Sequence, residues 1–135
     1  MSRITILGGG RWGTALGLHL SKKGFELMFF DRNPTVVESL KKGKDPYWGL
    51  EFAKKPKATS LLNEAVEYSD LIVLALPVQV IRDVLEKSNL SGKVMVSASK
   101  GLEVGSSKRV SQIVEDLCKD CKTFVLSGPS FAEEV

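Results

Sequence analysis

Three glycines near the amino terminus, Gly8, Gly10 and Gly13, follow an apolar run and precede an apolar helical pattern. In a G-x-G-x-x-G loop the first glycine permits a tight turn and the second lets the backbone approach a pyrophosphate. The third lets the helix pack closely on the strand. Unpaired amides at the start of that helix attract phosphate oxygens. The spacing predicts a dinucleotide site, and the alternative is a structural turn in an unrelated α/β protein.

The residues after the second predicted strand bear on which dinucleotide would bind. Asp31 lies eighteen positions after Gly13, where a carboxylate accepts hydrogen bonds from ribose hydroxyls. Capping of a neighbouring turn is the alternative role for this side chain. Arg32 offers a guanidinium that can stack on adenine or pair with a 2′-phosphate. Asp31 favours NAD and Arg32 leaves NADP open, so we expect NAD or NADP, with NAD preferred.

Cys118 and Cys121 form a C-x-x-C pair where a predicted helix ends. A structural zinc ion needs about four ligands, and the only histidine, His19, falls in the first predicted helix. A thioredoxin-like pair belongs at a strand-to-helix turn instead. We therefore expect two reduced thiols and no metal site.

The elements that must position these residues alternate regularly along the chain. Strands are predicted over residues 4–7, 25–30, 57–59, 70–76, 93–97 and 122–126. Helices are predicted over residues 12–23, 34–42 and 79–87, with a further helix capped by Ser60 and another running from Ser106 or Ser107 to 118. This alternation predicts a single α/β domain over residues 1–135, with a doubly wound parallel sheet of the Rossmann type.

The long connection over residues 45–58 carries Tyr47 and Trp48, which either line a ligand pocket or pack on the domain surface.

Composition narrows the classes of function. A chain of 135 residues with a net charge of +3 fits one domain that binds an anionic small molecule. We find no basic stripe interleaved with aromatic residues, so we expect no nucleic-acid partner. The longest apolar run, residues 71–78, is too short to span a membrane. No signal peptide pattern precedes the first strand, and we expect a cytoplasmic protein.

Four segments together are similar to one known family. Residues 8–16 read G-G-G-R-W-G-T-A-L, residues 76–79 read L-P-V-Q, residues 99–103 read S-K-G-L-E, and residues 127–134 read S-G-P-S-F-A-E-E. In this order they resemble the bacterial-type NAD(P)-dependent sn-glycerol-3-phosphate dehydrogenases. The chain departs from the family pattern at Arg11, where a small residue such as serine is usual, and at Asp31, where a small residue is common.

The resemblance implies a role for particular positions. Arg11 and Trp12 would line the cofactor phosphates and adenosine, Arg32 the adenosine ribose, and Ala132 the nicotinamide end. Lys100 would contact both cofactor and substrate and act in catalysis, because an ammonium group suits a developing alkoxide or a phosphate. The alternative for Lys100 is a solvated loop lysine. Gly128 and Ser130 would hold the glycerol phosphate.

The implied reaction interconverts sn-glycerol 3-phosphate and dihydroxyacetone phosphate, which supplies glycerophospholipid precursors. Members of the family carry a second, helical domain beyond the position matching Val135. We therefore expect this chain to bind dinucleotide with little or no catalysis alone. The face on which the second domain would pack is then exposed, and this exposure is compatible with a homodimer. The alternatives are a domain of a related hydroxy-acid dehydrogenase and a stand-alone NAD-binding regulatory module.

Overall fold

The strand that precedes the glycine loop lies inside a six-stranded parallel sheet. The computed structural model describes residues 3–99 and 103–126. Its strands are β1 (Arg3–Leu7), β2 (Glu26–Phe30), β3 (Lys57–Thr59), β4 (Leu71–Leu74), β5 (Val94–Ser97) and β6 (Lys122–Val125). Its helices are α1 (Arg11–Lys22), α2 (Pro34–Lys41), α3 (Leu62–Tyr68), α4 (Val78–Glu86) and α5 (Val110–Leu117).

The strand order is β3-β2-β1-β4-β5-β6, which is the order of the doubly wound Rossmann fold. Every neighbouring pair is parallel. Leu7 at the end of β1 is aligned with Phe30 of β2 and with Leu74 of β4. The direction of winding reverses between β1 and β4, and ligands of such sheets bind in the crevice outside the carboxyl ends at that point. The predicted fold class is confirmed.

Two apolar layers cover the sheet. Successive residues of a strand point to opposite faces, so Leu27 and Phe29 pack beneath α1 and α2, whereas Met28 and Phe30 pack beneath α3, α4 and α5. The Phe29 ring is fully buried and meets the ring of Phe52 edge to face, with centroids 5.8 Å apart. None of the helices in residues 3–99 and 103–126 has the length and apolarity needed to cross a bilayer.

Most predicted helix boundaries agree with the structure within one or two residues. Asn33 caps α2, and its side chain accepts a hydrogen bond from the Thr35 amide. Gly24 and Gly43 follow α1 and α2 with positive φ angles, the left-handed conformation that ends many helices. The short strand predicted at residues 57–59 is β3.

Two predicted helix starts are wrong. Leu61, rather than Ser60, is the N-cap of α3, because the Thr59 hydroxyl accepts the Leu61 amide and forms a local turn first. Helix α5 starts after Arg109 rather than after Ser106 or Ser107. The Ser107 amide donates to the carbonyl of Glu103 instead, which keeps that segment in a turn.

The expectation of two reduced thiols also differs from the structure. Cys118 and Cys121 are joined in a disulfide. The turn at the end of α5 brings their Cα atoms to 5.7 Å, within the range that a disulfide spans. The pair does lie at the end of a helix, as the sequence predicts.

Candidate functional site

The three glycines of the loop have different surroundings. Gly8 has a φ of +120°, and a Cβ there would lie 2.6 Å from the carbonyl oxygen of Ala75. A Cβ on Gly13 would lie 2.1 Å from the carbonyl oxygen of Gly8. A Cβ on Gly10 would meet no heavy atom within 4 Å among the residues that the structure describes. Gly8 and Gly13 are thus required by packing, whereas Gly10 borders open space where a ligand can approach.

Hydrogen bonds from neighbouring elements fix the backbone of this loop. The Gly8 amide donates to the carbonyl of Phe30 at 2.8 Å, and the Gly9 amide donates to Asp31 Oδ2 at 2.9 Å. The Gly9 carbonyl accepts the Tyr47 hydroxyl at 2.6 Å. The loop therefore has a fixed shape before any ligand binds, which lowers the entropic cost of binding.

The amino end of α1 carries the donors that a phosphate needs. Gly10 is the N-cap, no side chain caps this end, and the first turn contains no acidic residue. The first intrahelical bond runs from the Thr14 amide to the Gly10 carbonyl at 2.9 Å. The amides of Arg11, Trp12 and Gly13 consequently precede the helical hydrogen-bond ladder. Together with the helix dipole and the exposed Arg11 side chain, they suit a pyrophosphate.

Asp31 stabilises the loop itself. Its Oδ2 accepts the Gly9 amide, and its Oδ1 accepts the Asn33 amide at 2.8 Å. The turn-capping role that the sequence left open is therefore present. An ionised carboxylate has about four lone-pair positions, so two ribose hydroxyls can still be accommodated. Arg32, the next residue, is exposed.

The connection between α2 and β3 packs on the glycine loop. Asp45 is buried, and its carboxylate accepts hydrogen bonds from the backbone amides of Tyr47, Trp48 and Leu50. This cluster of hydrogen bonds shapes the turn that brings the Tyr47 hydroxyl to Gly9. Two alternative roles were open for Tyr47 and Trp48 from the sequence, and the structure places Tyr47 at the loop.

Tyr47 also contacts a charged neighbour. The Arg11 guanidinium lies 5.4 Å from the centre of the Tyr47 ring, within the range of a cation–π interaction. Burial is the main cause that raises the pKa of Tyr47 above 10.0, and the negative charge of Asp31 adds to it. The hydroxyl thus keeps its proton and donates to the Gly9 carbonyl at neutral pH.

Trp12 links α1 to the far side of the crevice. Its indole N–H donates to the carbonyl of Ala98 at 2.7 Å. The next residue, Ser99, donates its hydroxyl to the carbonyl of Leu76. The segment before Lys100 is therefore hydrogen-bonded both to α1 and to the chain just after β4. Lys100 lies outside the described residues, as do Gly128, Ser130 and Ala132.

An ion-pair cluster joins α4 to α5 and to the segment that precedes α5. The Arg82 guanidinium contacts both carboxylate oxygens of Glu103, with Nε 3.0 Å from Oε2, and also contacts Asp116 at 3.1 Å. Hydrogen bonds from Arg82, and then from Ser106, lower the pKa of Glu103. The sequence analysis missed this cluster because residues 82, 103 and 116 are far apart in the chain and follow no helical or strand period.

Similarity to known proteins shows which family the chain belongs to. Residues 3–135 match the family described as the NAD-dependent glycerol-3-phosphate dehydrogenase N-terminus. This chain belongs to that family. The resemblance drawn from the four sequence segments is confirmed.

The relatives and solved structures that resemble this chain are longer than it is. A glycerol-3-phosphate dehydrogenase [NAD(P)+] from Syntrophomonas wolfei is 42% identical over all of this chain, which covers 42% of that relative. The crystal structure of glycerol-3-phosphate dehydrogenase from Coxiella burnetii superposes with a TM-score of 0.84 at 27% identity. It matches 98% of this chain and 42% of its own length. A second structure, from Dunaliella salina, shares the fold with a TM-score of 0.79 at 20% identity, over 98% of this chain and 27% of its own.

Two alanine substitutions in the loop should separate packing from ligand approach. Gly13→Ala places a methyl group against the carbonyl oxygen of Gly8, and we expect the free energy of unfolding to fall by about 2 kcal/mol or more. Gly10→Ala is the matched control, with an expected loss below about 1 kcal/mol from the poorer N-cap. Urea unfolding of both variants measures this difference. Equal losses would contradict the close packing of α1 on β1.

Proposed function

We propose that this chain is the NAD(P)-binding domain, over residues 1–135, of an oxidoreductase that interconverts sn-glycerol 3-phosphate and dihydroxyacetone phosphate. The observation that carries the proposal is the uncapped amino end of α1 beside the open Gly10, at the switch point of the sheet. The names of the relatives give NAD(P)+ as the cofactor and glycerol 3-phosphate as the substrate.

The pyrophosphate of the cofactor binds at the start of α1 in this proposal. Gly8 and Gly13 shape the loop, Gly10 leaves room for the phosphates, and the amides that begin with Arg11 and Trp12 donate to the phosphate oxygens. The Arg11 guanidinium adds a positive charge next to them. Trp12 also keeps the loop aligned with the end of β5 through its bond to Ala98.

In this proposal Asp31 and Arg32 determine whether the site prefers the adenosine ribose of NAD or the 2′-phosphorylated ribose of NADP. The Asp31 carboxylate accepts the ribose hydroxyls of NAD, and its charge disfavours a 2′-phosphate. Arg32 moderates that preference because its guanidinium attracts the same phosphate. We therefore propose NAD as the preferred cofactor. The hydrogen bond from the Gly9 amide orients the carboxylate at the mouth of the crevice.

The reacting end of the site rests on the family resemblance. Lys100 serves cofactor and substrate, Gly128 and Ser130 hold the phosphorylated substrate, and Ala132 contacts the nicotinamide end. The bound cofactor supplies the hydride that reduces the ketone. The Lys100 ammonium group stabilises the negative charge that develops on the substrate oxygen.

The wider setting follows from the same resemblance. We place the activity in the cytoplasm, where glycerol 3-phosphate is a precursor of glycerophospholipids. A homodimer is also proposed, and the exposed side chains of Phe124, Val125 and Leu126 at the edge of the sheet support it. Sedimentation equilibrium tests this association, and a monomer at high protein concentration would refute the dimer.

Titration of the 135-residue chain with NADH and with NADPH tests the cofactor site. The fluorescence of Trp12 and Trp48 reports binding, since Trp12 lies at the start of α1 and the Trp48 ring contacts Tyr47. We expect saturable binding with NADH preferred. Asp31→Ala should weaken NADH binding about tenfold or more, which corresponds to about 1.4 kcal/mol.

The matched control is His19→Ala, which alters an exposed side chain in the last turn of the same helix and should leave both affinities unchanged. Thermal unfolding of Asp31→Ala distinguishes a lost ligand contact from a loosened loop. A preference for NADPH that Arg32→Ala abolishes would reverse the cofactor assignment. A folded chain that binds neither cofactor would refute the proposed function.

A further inference from the structure

The disulfide between Cys118 and Cys121 lies away from the dinucleotide site. It closes the turn between α5 and the start of β6, and therefore lies at the amino edge of the parallel sheet. The glycine loop follows the end of β1 at the carboxyl edge. The cysteine pair takes no part in the proposed cofactor or substrate contacts, so its chemistry needs a separate explanation.

Two oxygen atoms converge on the two sulfur atoms. The carbonyl oxygen of Leu90 lies 2.9 Å from Cys121 Sγ and 3.5 Å from Cys118 Sγ. The carboxylate of Asp120 approaches from the turn, with Oδ1 3.3 Å from Cys118 Sγ. One donor atom from each of Cys118, Asp120 and Cys121 lies within 4.8 Å of the others. The site thus offers two sulfur and two oxygen donors.

We propose that the reduced chain binds one thiophilic divalent cation, with Zn²⁺ as the reference ion, at Cys118, Asp120, Cys121 and the Leu90 carbonyl. Zn²⁺ prefers four ligands in a tetrahedral arrangement and accepts thiolate and carboxylate donors. Two thiolates and one carboxylate carry three negative charges, which exceed the charge of the ion. The exposed ammonium groups of the flanking Lys119 and Lys122 offset the excess.

Neighbouring groups hold both oxygen donors in place. The Ser91 hydroxyl donates to Asp120 Oδ2 at 2.6 Å, which leaves Oδ1 directed towards the sulfur atoms. The Leu90 carbonyl accepts the Lys93 amide at 3.0 Å and keeps a second lone pair for a ligand. Outer partners of this kind orient metal ligands and raise affinity.

Metal binding and the disulfide exclude each other, because the cation requires both thiolates. A water-soluble phosphine breaks the S–S bond and gives two thiols, while the phosphine takes an oxygen atom from water and becomes the phosphine oxide. Each thiol then loses its proton as the cation binds, so two protons leave for each ion bound. The oxidised chain, which carries the disulfide described here, should bind no ion at this position.

Residue types alone do not reveal this arrangement. The side chains that suggest a zinc site in the sequence are cysteine and histidine, and His19 lies in α1, far from the cysteine pair in the chain. Asp120 is inside the C-x-x-C turn, and the Leu90 carbonyl comes from the chain after α4, 28 residues before Cys118. A main-chain ligand carries no signature in its residue type, so the fold was needed to bring it to the sulfur atoms.

A titration of the phosphine-reduced, full 135-residue chain with Co²⁺ under argon tests the proposal. We expect a near-ultraviolet thiolate-to-cobalt charge-transfer band that saturates at one ion per chain and disappears when Zn²⁺ displaces the cobalt. The disulfide form of the same protein is a control that requires no mutation, and it should give no band. Cys118→Ser and Cys121→Ser should each abolish the band.

Variants of the oxygen donors test the four-ligand arrangement. Asp120→Asn should weaken Zn²⁺ binding at least about tenfold, and Ser91→Ala should weaken it by a similar factor through the orientation of Asp120. Asp83→Asn, at an exposed aspartate of α4, is the matched control and should bind normally. A reduced chain without the band, binding by the disulfide form, or undiminished affinity in Asp120→Asn would each overturn the proposal.

Discussion

The close contact between the start of α1 and the end of β1 is the constraint on which the site depends. There is space for only a hydrogen atom on the α-carbon of residue 13, because the Gly8 carbonyl oxygen occupies the position of a side chain. This contact sets where the helix begins relative to the strand. The first-turn amides of α1 are consequently held at the carboxyl edge of the sheet, next to the point where the winding reverses. An anion at this position meets both the helix dipole and unpaired donors.

The groups that surround the loop serve both structure and recognition. Asp31 accepts two hydrogen bonds from backbone amides and still presents a carboxylate where the ribose is proposed to bind. Tyr47 holds the Gly9 carbonyl and contacts Arg11 through its ring. Trp12 ties the same helix to β5. Because each group has a structural partner of its own, the loop is rigid, and substitutions here will affect stability and binding together.

The sequence predicted the fold well because its signals are local. Alternating apolar segments, the Asn33 cap and the glycines after α1 and α2 each act within a few residues of the chain. The glycine spacing and Asp31 predicted a candidate site for the same reason. The wrong starts of α3 and α5 arose where the Thr59 hydroxyl and the Glu103 carbonyl compete for the first amides. The hydrogen bonds of Tyr47 to Gly9 and of Arg82 to Glu103 join segments that are distant in the chain, and no local sequence pattern predicts them.

The amino end of α1 is proposed to bind the pyrophosphate of a dinucleotide. The most direct measurement is a titration of the ¹⁵N-labelled chain with NADH, followed by amide chemical shifts. We expect the largest shifts on Gly10, Arg11 and Trp12, with smaller shifts around Asp31. Shifts concentrated elsewhere, such as the open groove between Pro34 and Lys44 on the surface of α2, would contradict it.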